Sequence, residues 1–149
     1  MDSLMKLDEL IAEWQQDTII DETELSRESI KIPRLHGKYL KMFSAERLKL
    51  RGMKLKQKQT NKKLIDYYRG DLNTPEDLAA ISRDPWAKTV LKQDVQYYVD
   101  GDDEMVDLNT RIAYQSELVE VLEEIIKSLN TRGFVIKNSL DFLKFTSGQ

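Results

Sequence analysis

Lys54, Lys56, Lys58, Lys62, Lys63 and Arg69 crowd six cations into one short stretch, and Tyr67 and Tyr68 stand against the last of them. Ammonium and guanidinium groups at this density can neutralise phosphates and release their condensed counterions, the main source of affinity for nucleic acids. Aromatic rings beside such a groove can stack on unpaired bases without sequence selectivity. The competing reading is a solvated helix paired with acidic residues elsewhere, with the tyrosines closing it onto the core. We expect one tyrosine buried and the other available. Bond-making chemistry has no comparable constellation. Catalysis needs a tuned nucleophile and base, a metal or a phosphate cradle, and the chain has no GxxxxGK[ST] loop. His36 is the single histidine and there is no cysteine, which leaves nothing to build a zinc site or a disulfide. The chain reads as a non-enzyme that needs no cofactor and no metal. His36 reads as a helix-surface residue, Trp14 and Trp86 as packing anchors, and Asp100-Gly101-Asp102-Asp103 as an acidic turn without calcium-loop spacing.

Charge is distributed unevenly. The net charge of −3 over 149 residues hides a segment, 34–69, with twelve basic and two acidic residues, so that it carries +10 and the rest −13. A basic surface for a polyanion beside an acidic surface with another task is the implied arrangement. No apolar run approaches the roughly 20 residues needed to span a bilayer. The first residues are interrupted by acids and lack a signal-peptide cleavage pattern. We therefore expect no membrane association and a cytoplasmic location.

The elements that must carry the cations are helical. Ser3 can cap a first helix whose apolar face is Leu4, Leu7, Leu10, Ile11 and Trp14. Asp21 can cap a second, which Pro33 should kink or end near Ile32. Leu35, Tyr39, Met42 and Phe43 then give an apolar stripe, followed less regularly by Leu48, Leu50, Met53 and Leu55, and Gly70 is a plausible stop. Thr74-Pro75-Glu76-Asp77 is a helix start. Residues 90–99 read equally as helix or extended chain. From about residue 103, Met105, Leu108, Ile112, Gln115, Val119, Leu122, Ile126 and Leu129 follow the 3-4 alternation of a coiled-coil seam, polar only at Gln115. Leu118, Val121 and Ile125 widen it, so the helix must pack within the chain or against copies of itself. Arg132-Gly133 should end it, and Asn138 should cap a short last helix whose Leu140 and Leu143, with Phe142 or Phe145, dock back. The expected organisation is three regions: 1–70 with the basic segment, 71–102 as a connection, and 103–149 for self-assembly.

Taken together, these residues resemble the UvsY-type recombination mediators of tailed phages over nearly the whole length. The resemblance is carried by Leu4 to Trp14 with Ile20-Asp21 and Leu25, by Glu28-Ser29, Ile32-Pro33 and Leu35-His36, and by the lysine-rich stretch into Leu64-Ile65-Asp66-Tyr67-Tyr68. Thr89-Val90-Leu91 and Thr131-Arg132-Gly133-Phe134-Val135-Ile136-Lys137 complete it. It implies an all-α protein whose C-terminal coiled-coil-like helix assembles a ring-shaped homo-oligomer of six or seven subunits. It implies binding to single-stranded DNA and contacts with a RecA-like phage recombinase and with the phage single-strand-binding protein. Its role would be to load that recombinase onto coated DNA in the cytoplasm of the infected host. In the family a lysine and an arginine two residues apart precede the Asp-Tyr-Tyr. Lys62 matches the lysine, Leu64 stands in the arginine's place, and Lys63 lies beside it. A structural adaptor with the same seam and no affinity for DNA is the alternative from another class.

Overall fold

The computed structural model describes residues 2–148, with side chains from Lys6 to Gly148. The side chains of Ser3 and Leu4, on which the expected cap and first apolar contact rest, lie outside those described. Five α-helices follow in order: α1 Asp2–Asp17, α2 Leu25–Tyr68, α3 Pro75–Ile81, α4 Val95–Asp100 and α5 Asp103–Thr146, with a 3-10 turn Lys92–Asp94 before α4. No strand occurs among the described residues. The all-α expectation holds, and of residues 90–99 the 3-10 turn and α4 take up all but Val90 and Leu91.

Two local signals did not break helices as expected. Pro33 lies inside α2, which runs through it. The carbonyl of Ser29 loses its partner there, but both residues are exposed and water can satisfy it. Gly133 likewise lies inside α5, which runs on to Thr146, so neither a stop at Arg132-Gly133 nor a separate helix capped by Asn138 exists. A Cβ at Gly133 would come within 3.9 Å of Ile32 Cδ1, so the glycine faces a packed neighbour. Leu143 does not dock back and stays exposed with Phe142 and Phe145. Asp21 does not cap α2 directly. Its Oδ1 accepts from the Thr23 amide (3.0 Å) and hydroxyl (2.6 Å), forming the turn ahead of the helix.

Other signals act as read. Thr74 caps α3 by accepting from the Asp77 amide at 3.1 Å, with Pro75 in the first turn. Gly70, at φ 81°, closes α2: its amide donates to Tyr67 O (3.1 Å) and the Asp71 amide to Asp66 O (3.0 Å), which is a Schellman arrangement.

The helices build two compact units, one from the residues up to Lys49 with those from Tyr114 on, the other from Leu50–Ala113. Both long helices contribute to both units, whereas the boundaries expected at 70 and 102 follow element ends.

In the first unit, Leu10, Tyr39, Leu118, Leu122, Ile125 and Leu129 form the core, with Trp14, Leu35, Met42, Phe43 and Ile126 packed around it. Trp14 meets Tyr39 edge-on at 5.5 Å. Gln115, the polar position of the seam, donates to the Glu46 carbonyl (2.9 Å) and carboxylate (2.7 Å), so its burial costs no unpaired donor. Buried Arg132 donates to the carbonyls of Asp17 (3.0 Å) and Ile19 (3.1 Å), holding the link after α1.

In the second unit, Leu64, Tyr67, Tyr68, Leu78, Val95, Val99 and Met105 are the core, with Trp86 and Tyr98 against it. This unit positions the basic segment.

Candidate nucleic-acid interface

Up to Tyr68 the basic segment is a single unbroken length of α2, so its side chains point where the helical period puts them. Leu50, Thr60, Leu64 and Tyr67 are buried and mark the inward face. Steps of three, four and four residues put Arg51, Lys54, Lys58 and Lys62 on one line, and Arg69 rejoins it seven residues later. That line is turned roughly 145° from the buried face and runs about 27 Å from Arg51 to Arg69. All five side chains are exposed. Among the described residues, Arg51, Lys54, Lys56, Lys58 and Lys62 pair with no carboxylate, whereas Arg69 lies 3.8 Å from Asp71. From Arg51 to Lys62 the stripe is therefore a row of exposed positive charges without carboxylate partners among the described residues.

The other cations differ. Lys56 is exposed on the far side of the stripe, and Lys63, half-buried on that side, pairs with Glu104 at 2.7 Å. That hydrogen bond holds the Glu104 carboxyl below its ordinary value. Lys63 is engaged in an ion pair within the chain, and its neighbour Leu64 is fully buried. Arg51 was not anticipated, although its spacing to Lys54 and Lys58 was visible in the chain.

The structure corrects the tyrosines. Tyr67 is 7 % exposed and Tyr68 8 %, so neither is available to a base. The Tyr67 hydroxyl donates to the Asp84 carbonyl at 2.7 Å and that of Tyr68 to Asp102 Oδ2 at 2.5 Å. Their rings stack against one another (5.1 Å) and Tyr68 against Trp86 (4.7 Å). Burial and the Asp102 carboxylate push the Tyr68 hydroxyl up to about 12, so it remains a donor across the ordinary pH range. Three and four residues beyond Leu64, both tyrosines fall on the inward face; that spacing was the available signal.

The structure also corrects the assembly seam. Met105 and Leu108 are buried in the second unit, and Val119, Leu122 and Leu129 in the first. Ile126 packs beside Leu122, and Ile112 is half-buried. The seam is filled from within one chain. Residues of α1 and α2 cover it around Leu122, and residues of α2, α3 and α4 cover it around Met105, where a second coiled-coil strand was expected. The apolar side chains that α5 leaves exposed are Val106, Phe134, Val135, Phe142, Leu143 and Phe145.

Among the described residues, no group of acidic or histidine side chains is arranged to hold a metal ion, and no helix is long and apolar enough to cross a membrane. Comparison with known proteins is consistent across sequence and structure. Residues 13–149 match the family described as recombination, repair and ssDNA binding protein UvsY. The recombination protein uvsY of Enterobacteria phage T4 is 26% identical over 145 residues, covering 97% of this chain and 100% of that protein. A crystal structure of the bacteriophage T4 recombination mediator protein UvsY superposes with a TM-score of 0.81 at 22% identity, covering 94% of this chain and 96% of that one. A second crystal form of the same phage protein gives 0.80 at 22% identity over 93% and 98%. These solved structures share the fold, and because the family match covers residues 13–149, from the end of α1 through α5, the chain belongs to the UvsY family.

Proposed function

We propose that this protein is a recombination mediator that binds single-stranded DNA along the α2 stripe and helps load a RecA-like recombinase onto DNA coated by a single-strand-binding protein. The observation that carries the reading is the exposed line Arg51, Lys54, Lys58 and Lys62, without carboxylate partners, in a member of a single-stranded-DNA-binding family. Each chain offers few phosphate contacts, so one copy alone binds weakly. Self-assembly into a ring of six or seven copies multiplies the site, because each bound patch raises the effective concentration of strand at the next. The exposed apolar side chains Phe134, Phe142, Leu143 and Phe145 of α5 support assembly through that part of the helix, in place of the internal seam. A strand wrapped over several copies is drawn away from its coating protein and presented to the recombinase in the host cytoplasm. A coiled-coil adaptor without affinity for DNA is the competing reading, and the packing of its seam within the chain weighs against it.

The test is direct. Particle mass is measured with and without a short oligonucleotide, and recombinase assembly on coated single strands is followed as protein is added. An assembled particle that binds the oligonucleotide and accelerates assembly supports the reading. A monomer indifferent to single strands at low ionic strength overturns it, and binding without stimulation leaves a DNA-binding protein that is not a mediator.

A further inference from the structure

With Tyr67 and Tyr68 sealed in the core, the α2 stripe offers a strand charge but no ring. One aromatic side chain of the second unit is presented to solvent close by. Tyr97 lies on α4 midway between Val95 and Val99, both buried, and so points outward; it is 79% exposed. Its aromatic contact is the ring of Tyr98, edge-on at 5.8 Å.

The neighbouring residue fixes α4 against the stripe. Gln96 Nε2 donates to Asn61 Oδ1 at 2.9 Å and to Asp100 Oδ1 at 2.8 Å. Asn61 is next to Lys62 and one turn from Lys58, so α4 is tethered along one flank of the cationic line. Asp94 and Asp100 bound α4 on either side of Tyr97. Phosphates are attracted to the lysines and repelled from this flank, which leaves the uncharged bases as the part of a strand that can face it. On the opposite flank Leu55 is 62% exposed, but its surface neighbours on the helix are Arg51, Gly52, Lys58 and Gln59, a setting for phosphates.

We infer that Tyr97 is the stacking platform of the DNA site: the strand lies with its phosphates on Arg51, Lys54, Lys58 and Lys62 and its bases turned toward α4. This rests on the single-stranded-DNA reading above and adds to it an orientation and a base-contacting residue. Stacking on an exposed ring is indifferent to base identity, which suits a protein that must accept any sequence.

The experiment compares an oligothymidylate with an abasic deoxyribose-phosphate strand of equal length, by fluorescence anisotropy with the full chain at one salt concentration. The wild-type protein should prefer the strand that carries bases. Tyr97→Ala should weaken oligothymidylate binding about fivefold or more, leave abasic binding and the salt dependence unchanged, and so erase the preference. Tyr97→Phe should keep it, and Leu55→Ala should keep it too. Fluorescence of Tyr97→Trp should be quenched by oligothymidylate and not by the abasic strand. A Tyr97→Ala protein with the wild-type preference overturns the assignment while the phosphate stripe stands, as does loss of preference in Leu55→Ala alone. If the wild-type protein binds neither strand, the DNA reading falls with it.

Discussion

Arg83 grips Asp102 with both arms of its guanidinium, Nη1 to Oδ2 at 2.7 Å and Nη2 to Oδ1 at 2.8 Å. The carboxylate is buried, and Tyr68 at the end of the basic helix shares its Oδ2. Asp102 Oδ1 also accepts from the Glu104 amide at 2.9 Å, capping α5. One carboxylate thus joins the loop after α3, the last turn of α2 and the first turn of α5. The same Arg83 reaches Glu104 (3.2 Å), which holds Lys63. The end of the stripe is fixed in place through this network.

Removing the guanidinium should therefore cost far more than removing a surface cation. Arg83→Met leaves a buried carboxylate without its charge partner, and we expect a loss of about 3 kcal/mol in denaturant unfolding. Arg111→Met supplies the comparison, because the Arg111–Asp107 pair at 3.2 Å is exposed and worth at most about 0.5 kcal/mol. Equal effects of the two substitutions would mean that the Asp102 network does not bear on stability.

Acid should unfold the protein through the same carboxylate. Burial pushes the Asp102 carboxyl up, but Arg83, Tyr68 and the Glu104 amide outweigh it and hold it at about 2. A folded-state value below the unfolded one gives stability that is complete above the ordinary aspartate range and is lost as pH falls through about 2. Asp17 is also burdened by burial, yet Lys38 and Tyr39 hold it below its ordinary value, so it has the same sign. Stability measured against denaturant should be flat near neutral pH and fall between about pH 4 and 2, with Asp102 contributing roughly 2 kcal/mol. In Arg83→Met the fall should begin at higher pH.

The residues that sequence reasoning placed well are those governed by neighbours along the chain. Thr74-Pro75 and Gly70 act through their own backbones, and the period of Leu118 to Leu129 needs only a helix to become a face. Misreadings came where a distant partner decides. Pro33 and Gly133 are breakers by local preference, yet long helices packed into a core override a loss of about 1–3 kcal/mol at one position. The seam from Met105 to Leu129 has the same pattern whether its partner is a copy or α1 and α2, so periodicity alone could not choose. At the site, the cations were legible as composition. Their division into the stripe of Arg51, Lys54, Lys58 and Lys62, the outlying Lys56 and the committed Lys63 required the position of Glu104. Tyr97 was invisible in a segment whose secondary structure was ambiguous.

Ser82 ends α3 at φ 55°, the sole non-glycine residue at positive φ among those described. Its amide donates to Ala79 O at 3.2 Å and the Arg83 amide to Leu78 O at 3.1 Å, the same closing geometry that Gly70 provides for α2. A Cβ is strained there. Ser82→Gly should stabilise the protein by about 0.5–1 kcal/mol without altering DNA affinity, read as a raised melting temperature. A destabilised variant would show that the extra unfolded-state freedom of glycine exceeds the strain relieved.

The stripe makes a quantitative claim that composition does not. If a strand lies along Arg51, Lys54, Lys58 and Lys62, each alanine substitution on that line should remove close to one phosphate contact. The slope of log affinity against log salt should then shrink by about 0.7 per residue per bound site. Lys54→Ala, Lys58→Ala and Lys62→Ala combined should flatten it by about 2 and weaken binding at low salt by well over tenfold. Lys63→Ala should leave the slope nearly unchanged, since its charge is spent on Glu104 2.7 Å away, and should lower stability slightly instead. Lys56→Ala, on the far side of the helix, should fall between the two. Equal slopes for Lys58→Ala and Lys63→Ala would mean that the strand reads total charge and not this face of α2, and the binding line would have to be drawn elsewhere.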